Sequence, residues 1–118
     1  MSELGLPELR RICLDLPETE ETGGVGNPAF KVRGKIFCMR HSLHEIARWS
    51  VWFKAPPGAQ GVVVGSDEKR FFVPPYVGGK GWIGAYLDVP QDWDELADLI
   101  EESYRMTAPK KLAALLDQ

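Results

Sequence analysis

The segment His41-Ser42-Leu43-His44-Glu45 is the nearest thing in the chain to a metal-ligand pattern. Two imidazoles three residues apart share a face only on a helix, and a zinc site needs about four ligands in all. No third ligand stands at a suitable spacing, so the segment reads as a polar connection and no metal is expected. Cys13 and Cys38 are far apart and lack C-x-x-C spacing. Cys13 falls on a helical apolar stripe and Cys38 in a strand-like run, and both read as small buried hydrophobes. Glu18, Glu20 and Glu21 offer carboxylates for acid–base work, but no partner base is identifiable and an acidic loop accounts for them. Gly23-Gly24-Val25-Gly26 and Gly78-Gly79-Lys80-Gly81 are glycine-rich. Neither fits G-x-x-x-x-G-K-S/T or G-x-G-x-x-G leading into a helix, so both read as turns. These residues give no grounds for an enzyme or a cofactor.

Charge is the more informative signal. The net charge of −3 is unevenly spread: residues 31–54 hold six bases and one acid, Glu45, whereas residues 88–102 hold seven acids and no base. Such a segregation predicts a positive face able to meet an anion. The candidates for nucleic-acid contact are Lys31, Arg33, Lys35 and Arg40 on a first hairpin, with Arg70 and Lys80 on a second. Tyr76 and Trp82 are the aromatics placed to stack on bases. An isoelectric point near 5.4 pulls the other way, since dedicated DNA-binding domains are usually basic.

The scaffold that must carry these groups is modest. With 118 residues, 44% of them hydrophobic and 26% charged, residues 1–118 read as a single ordered domain with one core. Neither a charged-then-apolar leader nor an apolar run of about 20 residues is present, and a cytoplasmic location with no membrane partner is expected.

Leu9, Ile12, Cys13 and Leu16 form one stripe of an amphipathic helix, started near Pro7 and stopped by Pro17. Residues 18–28 are acidic and then glycine-rich, and read as a loop or short edge strand. Residues 29–39 read as a hairpin turning at Arg33-Gly34, with Val32 opposite Lys35 and Phe30 opposite Phe37. Phe30, Val32, Phe37 and Met39 then face the core, with Lys31, Ile36, Cys38 and Arg40 on the other side. After a polar link over 41–48, residues 49–54 read as a third strand. Residues 58–68 are long enough for a helix, but Val62, Val63 and Val64 between Gly61 and Gly65 are poor helix formers. Residues 71–76 and 82–87 read as two further strands, the first at an edge or interrupted because Pro74 and Pro75 cannot donate to a ladder. Asp92 with Glu95 gives a capping-box pattern ahead of the stripe Trp93, Leu96, Ala97, Ile100, Tyr104. Pro109 breaks that helix before a short terminal one. The order predicts an α+β two-layer sandwich: an antiparallel sheet of about five strands with N-terminal and C-terminal helices packed on it.

Several of these pieces together resemble the MmcQ/YjbR family of small bacterial proteins. They are Leu14-Asp15-Leu16-Pro17-Glu18, the hairpin from Asn27-Pro28-Ala29-Phe30 to Ile36-Phe37, and Arg70-Phe71-Phe72-Val73-Pro74-Pro75-Tyr76-Val77-Gly78 followed by Gly81-Trp82-Ile83-Gly84. The last is the closing helix through Ser103-Tyr104 to Ala108-Pro109-Lys110-Lys111-Leu112. The resemblance spans nearly the whole chain. It implies a sandwich similar to the CyaY-like and secretion-chaperone-like folds, DNA binding through a double-wing arrangement, and no established enzymatic activity. Two departures stand out: the family often has His where this chain has Asn27, and it tends to place a helix where residues 61–65 are rich in glycine and valine.

The function expected from the residues and the resemblance is therefore a non-enzymatic binding domain contacting DNA through basic hairpins. The alternative is a protein- or small-ligand-binding, chaperone-like adaptor using a sheet face around Trp49, Trp52 and Tyr76.

Overall fold

In the computed structural model, residues 4–24, 27–43 and 48–118 are described. The first helix, α1 (Leu6–Leu14), carries a proline in its first turn, where no intrahelical N–H partner is lost. The chain just after the helix is secured by Thr19, whose hydroxyl donates to Cys13 O at 2.7 Å and Leu16 O at 3.0 Å. Five strands follow in two groups: β1 (Thr19–Gly24), β2 (Asn27–Val32), β3 (Lys35–Leu43) and β4 (Arg48–Phe53), then the two-residue β5 (Phe71–Phe72). The last strand is β6 (Ile83–Tyr86). Helix α2 (Ala59–Ser66) lies between β4 and β5, and α3 (Trp93–Thr107) and α4 (Lys110–Ala114) close the chain. The sheet is antiparallel, in the order β1-β2-β3-β4-β6-β5. The fold is α+β. It has six strands rather than about five, because the acidic segment after Pro17 pairs with β2 as an edge strand.

One face of the sheet meets the helices. Leu9, Cys13 and Leu16 of α1, Leu96, Ile100 and Tyr104 of α3, and Leu112 of α4 pack with Phe30, Val32, Val51, Phe53, Phe71, Ile83 and Ala85 in one buried cluster. Phe37 meets Tyr104 edge-on at 5.5 Å, and the Tyr104 hydroxyl donates to Pro17 O at 2.7 Å, tying α3 to the end of α1. Asp92 caps α3 by accepting from the N–H groups of Asp94 and Glu95. The reciprocal half of the capping box is absent, because the Glu95 carboxylate reaches Arg70 instead.

The first hairpin turns at Arg33-Gly34 with positive φ at both residues, the geometry a two-residue hairpin turn demands. Its register differs from simple alternation. Lys31 lies opposite Ile36, but Phe30 lies opposite Cys38, so Phe37 is the extra residue of a β-bulge. Beyond the bulge the faces exchange. Cys38 and Arg40 become buried and Met39 half-exposed, the reverse of the expected sidedness. The two thiols are free and buried, and burial together with a hydrogen bond from the Cys38 S–H to its neighbour Cys13 pushes the Cys38 thiol well up.

Two further elements depart from the local pattern. Strand β3 runs on through Leu43 and β4 begins at Arg48, so residues 41–43 and 48 of the expected polar link are ladder, and 44–47 lie outside the described residues. Residues 59–66 are helical despite their glycines and valines. Gln60 fixes the first turn, donating to Gly78 O at 2.8 Å and Trp82 O at 2.7 Å, and Val63 and Val64 rest on the core. Tertiary anchoring here outweighs a propensity deficit of about 1 kcal/mol per glycine. The strand expected over 71–76 stops at Phe72, just before the two prolines. None of the helices among the described residues is long and apolar enough to cross a membrane.

Candidate anion-binding site

The bulge also builds the end of the sheet where charge collects. It leaves the Phe37 carbonyl and the Lys54 N–H outside the β3–β4 ladder, and Ser103 of α3 stitches them together. Its hydroxyl donates to Phe37 O at 2.5 Å and accepts from Lys54 N at 2.9 Å. Ser103 is fully buried, so this link holds the end of β4 against α3.

Three lysines converge there. Cys38 pairs with Phe53 and Phe53 with Ile83. Lys35 lies three residues before Cys38, Lys54 directly follows Phe53, and Lys80 lies three residues before Ile83. Because β4 runs antiparallel to both neighbours, Lys35 at the start of β3, Lys54 just after β4 and Lys80 just before β6 fall towards the same end of the sheet. Partial burial, then repulsion from Lys35 and Lys80, holds the Lys54 ammonium below the ordinary lysine range. None of the three makes an ion pair among the described residues. A cluster of like charges without a counter-ion is repulsive by itself, and an anion relieves it.

The other sequence candidates fare differently. Lys31 is half-buried on β2, opposite Glu20 across the ladder. Arg33 is held in a two-pronged pair with Glu18 (2.8 and 3.2 Å), which raises the arginine and lowers the carboxyl. Arg70 bonds Asp67 at 2.8 Å and Glu95 at 2.7 Å. Arg40 is 1% exposed, donates to Leu4 O and lies over the Trp49 ring, so it is out of reach of a phosphate backbone. Trp82 is 6% exposed and cannot serve as a stacking surface. Tyr76, by contrast, is 91% exposed. The expected basic face thus contracts to Lys35 and Lys80, joined by Lys54. Reasoning from sequence counted Lys54 in the basic run but not in the site; its place as the last residue of the expected third strand, shortly ahead of Pro56-Pro57, was the one local hint.

The aromatic face expected around Trp49, Trp52 and Tyr76 does not assemble. Trp49 packs against the core and Trp52 is buried, stacked on His41 at 4.4 Å with its N–H donated to Ser50. Nearby, Arg48 lies over Tyr86 and is bound through both prongs by Asp88. Among the described residues no three His, Cys, Asp or Glu side chains gather to hold a metal, and His44 and Glu45 lie outside those residues, as do Val25 and Gly26 of the first glycine-rich stretch.

No curated protein matches the chain. Among solved structures, the crystal structure of Deinococcus radiodurans protein DR2400, a DUF419 domain, matches with a TM-score of 0.71. The match covers 86% of this chain and 76% of that one at 19% identity, a likeness of fold. The YjbR family model matches residues 14–106, which takes in the bulged hairpin, the 70–84 run and α3, and the chain therefore belongs to the YjbR family.

Proposed function

We propose that this YjbR-family domain is a non-enzymatic binding module that takes a nucleic-acid phosphate backbone on Lys35, Lys54 and Lys80. The observation that carries the reading is the convergence of three lysines at one end of the sheet, none of them in an ion pair among the described residues, in a chain whose net charge is negative. Ammonium groups are compact point charges suited to phosphate without sequence preference. The acidic remainder of the surface keeps such binding confined to one end of the sheet, which accommodates an isoelectric point near 5.4.

Binding of this kind is driven by counter-ion release. With three phosphate contacts, the logarithm of affinity falls against the logarithm of salt with a slope of roughly −2 to −3. Fluorescence anisotropy of labelled oligonucleotides, titrated from about 50 mM salt upward, measures this slope. An absence of binding at tens of micromolar protein rejects the reading, because non-specific affinity of roughly 10⁻⁴ to 10⁻⁶ M registers in that range.

A further inference from the structure

We infer that the nucleic acid taken at the lysine end is single-stranded, and that Tyr76 is the surface on which one of its unpaired bases stacks. The inference rests on the phosphate-binding reading above and adds to it the class of strand.

Tyr76 is the most exposed of the large hydrophobic side chains among the described residues, and its backbone sits at φ 67. That left-handed conformation is unfavourable for a residue with a Cβ. The Val77 N–H bonds Pro75 O at 2.7 Å, closing a three-residue turn around Tyr76 of the rare positive-φ kind. The turn is nevertheless firmly set. Pro74 is buried, Gly78 fits so closely that a Cβ there would come within 2.5 Å of Val73, and Val77 O accepts from Lys80 N at 3.0 Å. Gln60 holds the Gly78 and Trp82 carbonyls from the other side. A strained turn, anchored on both flanks, thus presents an aromatic ring to solvent. A ring held this way loses little conformational entropy when something covers it.

Charge beside the ring selects the occupant. Lys80 is four residues on, within about 14 Å of Tyr76 along the chain, and it belongs to the lysine cluster. An exposed aromatic four residues from a lysine cluster that has no ion pair among the described residues matches a ligand that alternates π-faces with phosphates. In a duplex the base faces are covered by their neighbours, and only edges and phosphates remain accessible. In a single strand each base can be splayed onto a ring while its phosphates follow the cations. Three lysines are also few for duplex binders, which neutralise roughly 6–10 phosphates, whereas a short single strand tracks a small site.

The test is anisotropy with a labelled twelve-residue oligothymidine and a duplex of equal length, at about 50 mM salt, on the full chain. The wild-type protein is expected to bind the single strand more tightly than the duplex. Tyr76→Ala should lose roughly 5- to 150-fold in affinity for the single strand while keeping its salt slope, and Tyr76→Phe should keep both. Tyr76→Gly relieves the positive φ, so it folds at least as well and should show the same loss. Wild-type affinity in Tyr76→Ala and Tyr76→Gly, or a preference for duplex, overturns the single-strand inference and leaves the phosphate reading standing. Absence of binding to either probe overturns both.

Discussion

Over much of the surface, arginines lie against carboxylates: Arg10 on Glu21, Arg33 on Glu18, Arg48 on Asp88, Arg70 on Asp67 and Glu95, and Arg105 on Glu101 and Asp117. At the end where β3, β4 and the turn at 78–81 meet, Lys35, Lys54 and Lys80 have no such partners among the described residues. The contrast follows from side-chain chemistry. A planar guanidinium fits a carboxylate through two parallel hydrogen bonds, whereas an ammonium on a flexible stem gains less from being held. Exposed pairs of this sort contribute only about 0–1 kcal/mol to stability, yet each cancels a charge that would otherwise project into solvent. Counting bases along the chain therefore overstates the positive face, and the lysines are the part that survives.

The sharpest way to break this contrast is to remove the lysines together. Replacing Lys35, Lys54 and Lys80 by alanine should lower oligonucleotide affinity roughly a thousandfold at about 50 mM salt and flatten the salt slope towards zero, as read by anisotropy. Thermal unfolding should change little, because none of the three is fully buried.

A buried cation provides the complementary test. Arg40→Ala removes a side chain packed over Trp49 and should cost about 2–4 kcal/mol in urea unfolding. Its oligonucleotide affinity should match the wild type under conditions where the variant is folded. A joint loss of stability and affinity would mean that Arg40 contributes to the surface after all.

Releasing a paired arginine sharpens the comparison from the other side. Glu18→Gln frees Arg33, one turn from Lys35, and should raise affinity severalfold and steepen the salt slope by nearly one unit. The paired state of Arg33 would be irrelevant if the slope did not move.

The smallest effect is in pH. Because the folded-state Lys54 ammonium titrates below its ordinary value, the unfolded chain binds more protons in the interval between the two values. Stability should then rise as pH increases through that interval, and the penalty is fully present below it. Urea midpoints measured from about pH 7.5 to 10 should show this rise in the wild type and not in Lys54→Met. A bound phosphate stabilises the ammonium, so oligonucleotide affinity should fall over the same interval.

Much of the molecule was legible before folding because its signals are local. The α1 stripe, the Arg33-Gly34 turn, the prolines that end β5 and the Asp92 cap each depend on residues a few positions apart, and the structure keeps all of them. The lysine pair Lys35 and Lys80 was legible as part of a basic set. Its third member was not, because Lys54 gains its place only when β4 pairs between β3 and β6.

What the sequence by itself determined was the set of elements, the α+β class and the family to which the motifs belong. Tertiary structure alone decided the sidedness of β3, the helix at 59–66 and the fate of each charge. One extra residue at Phe37 exchanges the faces of Cys38 and Arg40, and no alternation rule written along a single strand contains the register of its partner. Gln60 secures α2 through carbonyls 18 and 22 residues away, and Arg48 finds Asp88 across 40 residues. Hydrogen bonds and ion pairs depend on distance in space, and that distance is set only once the core has closed.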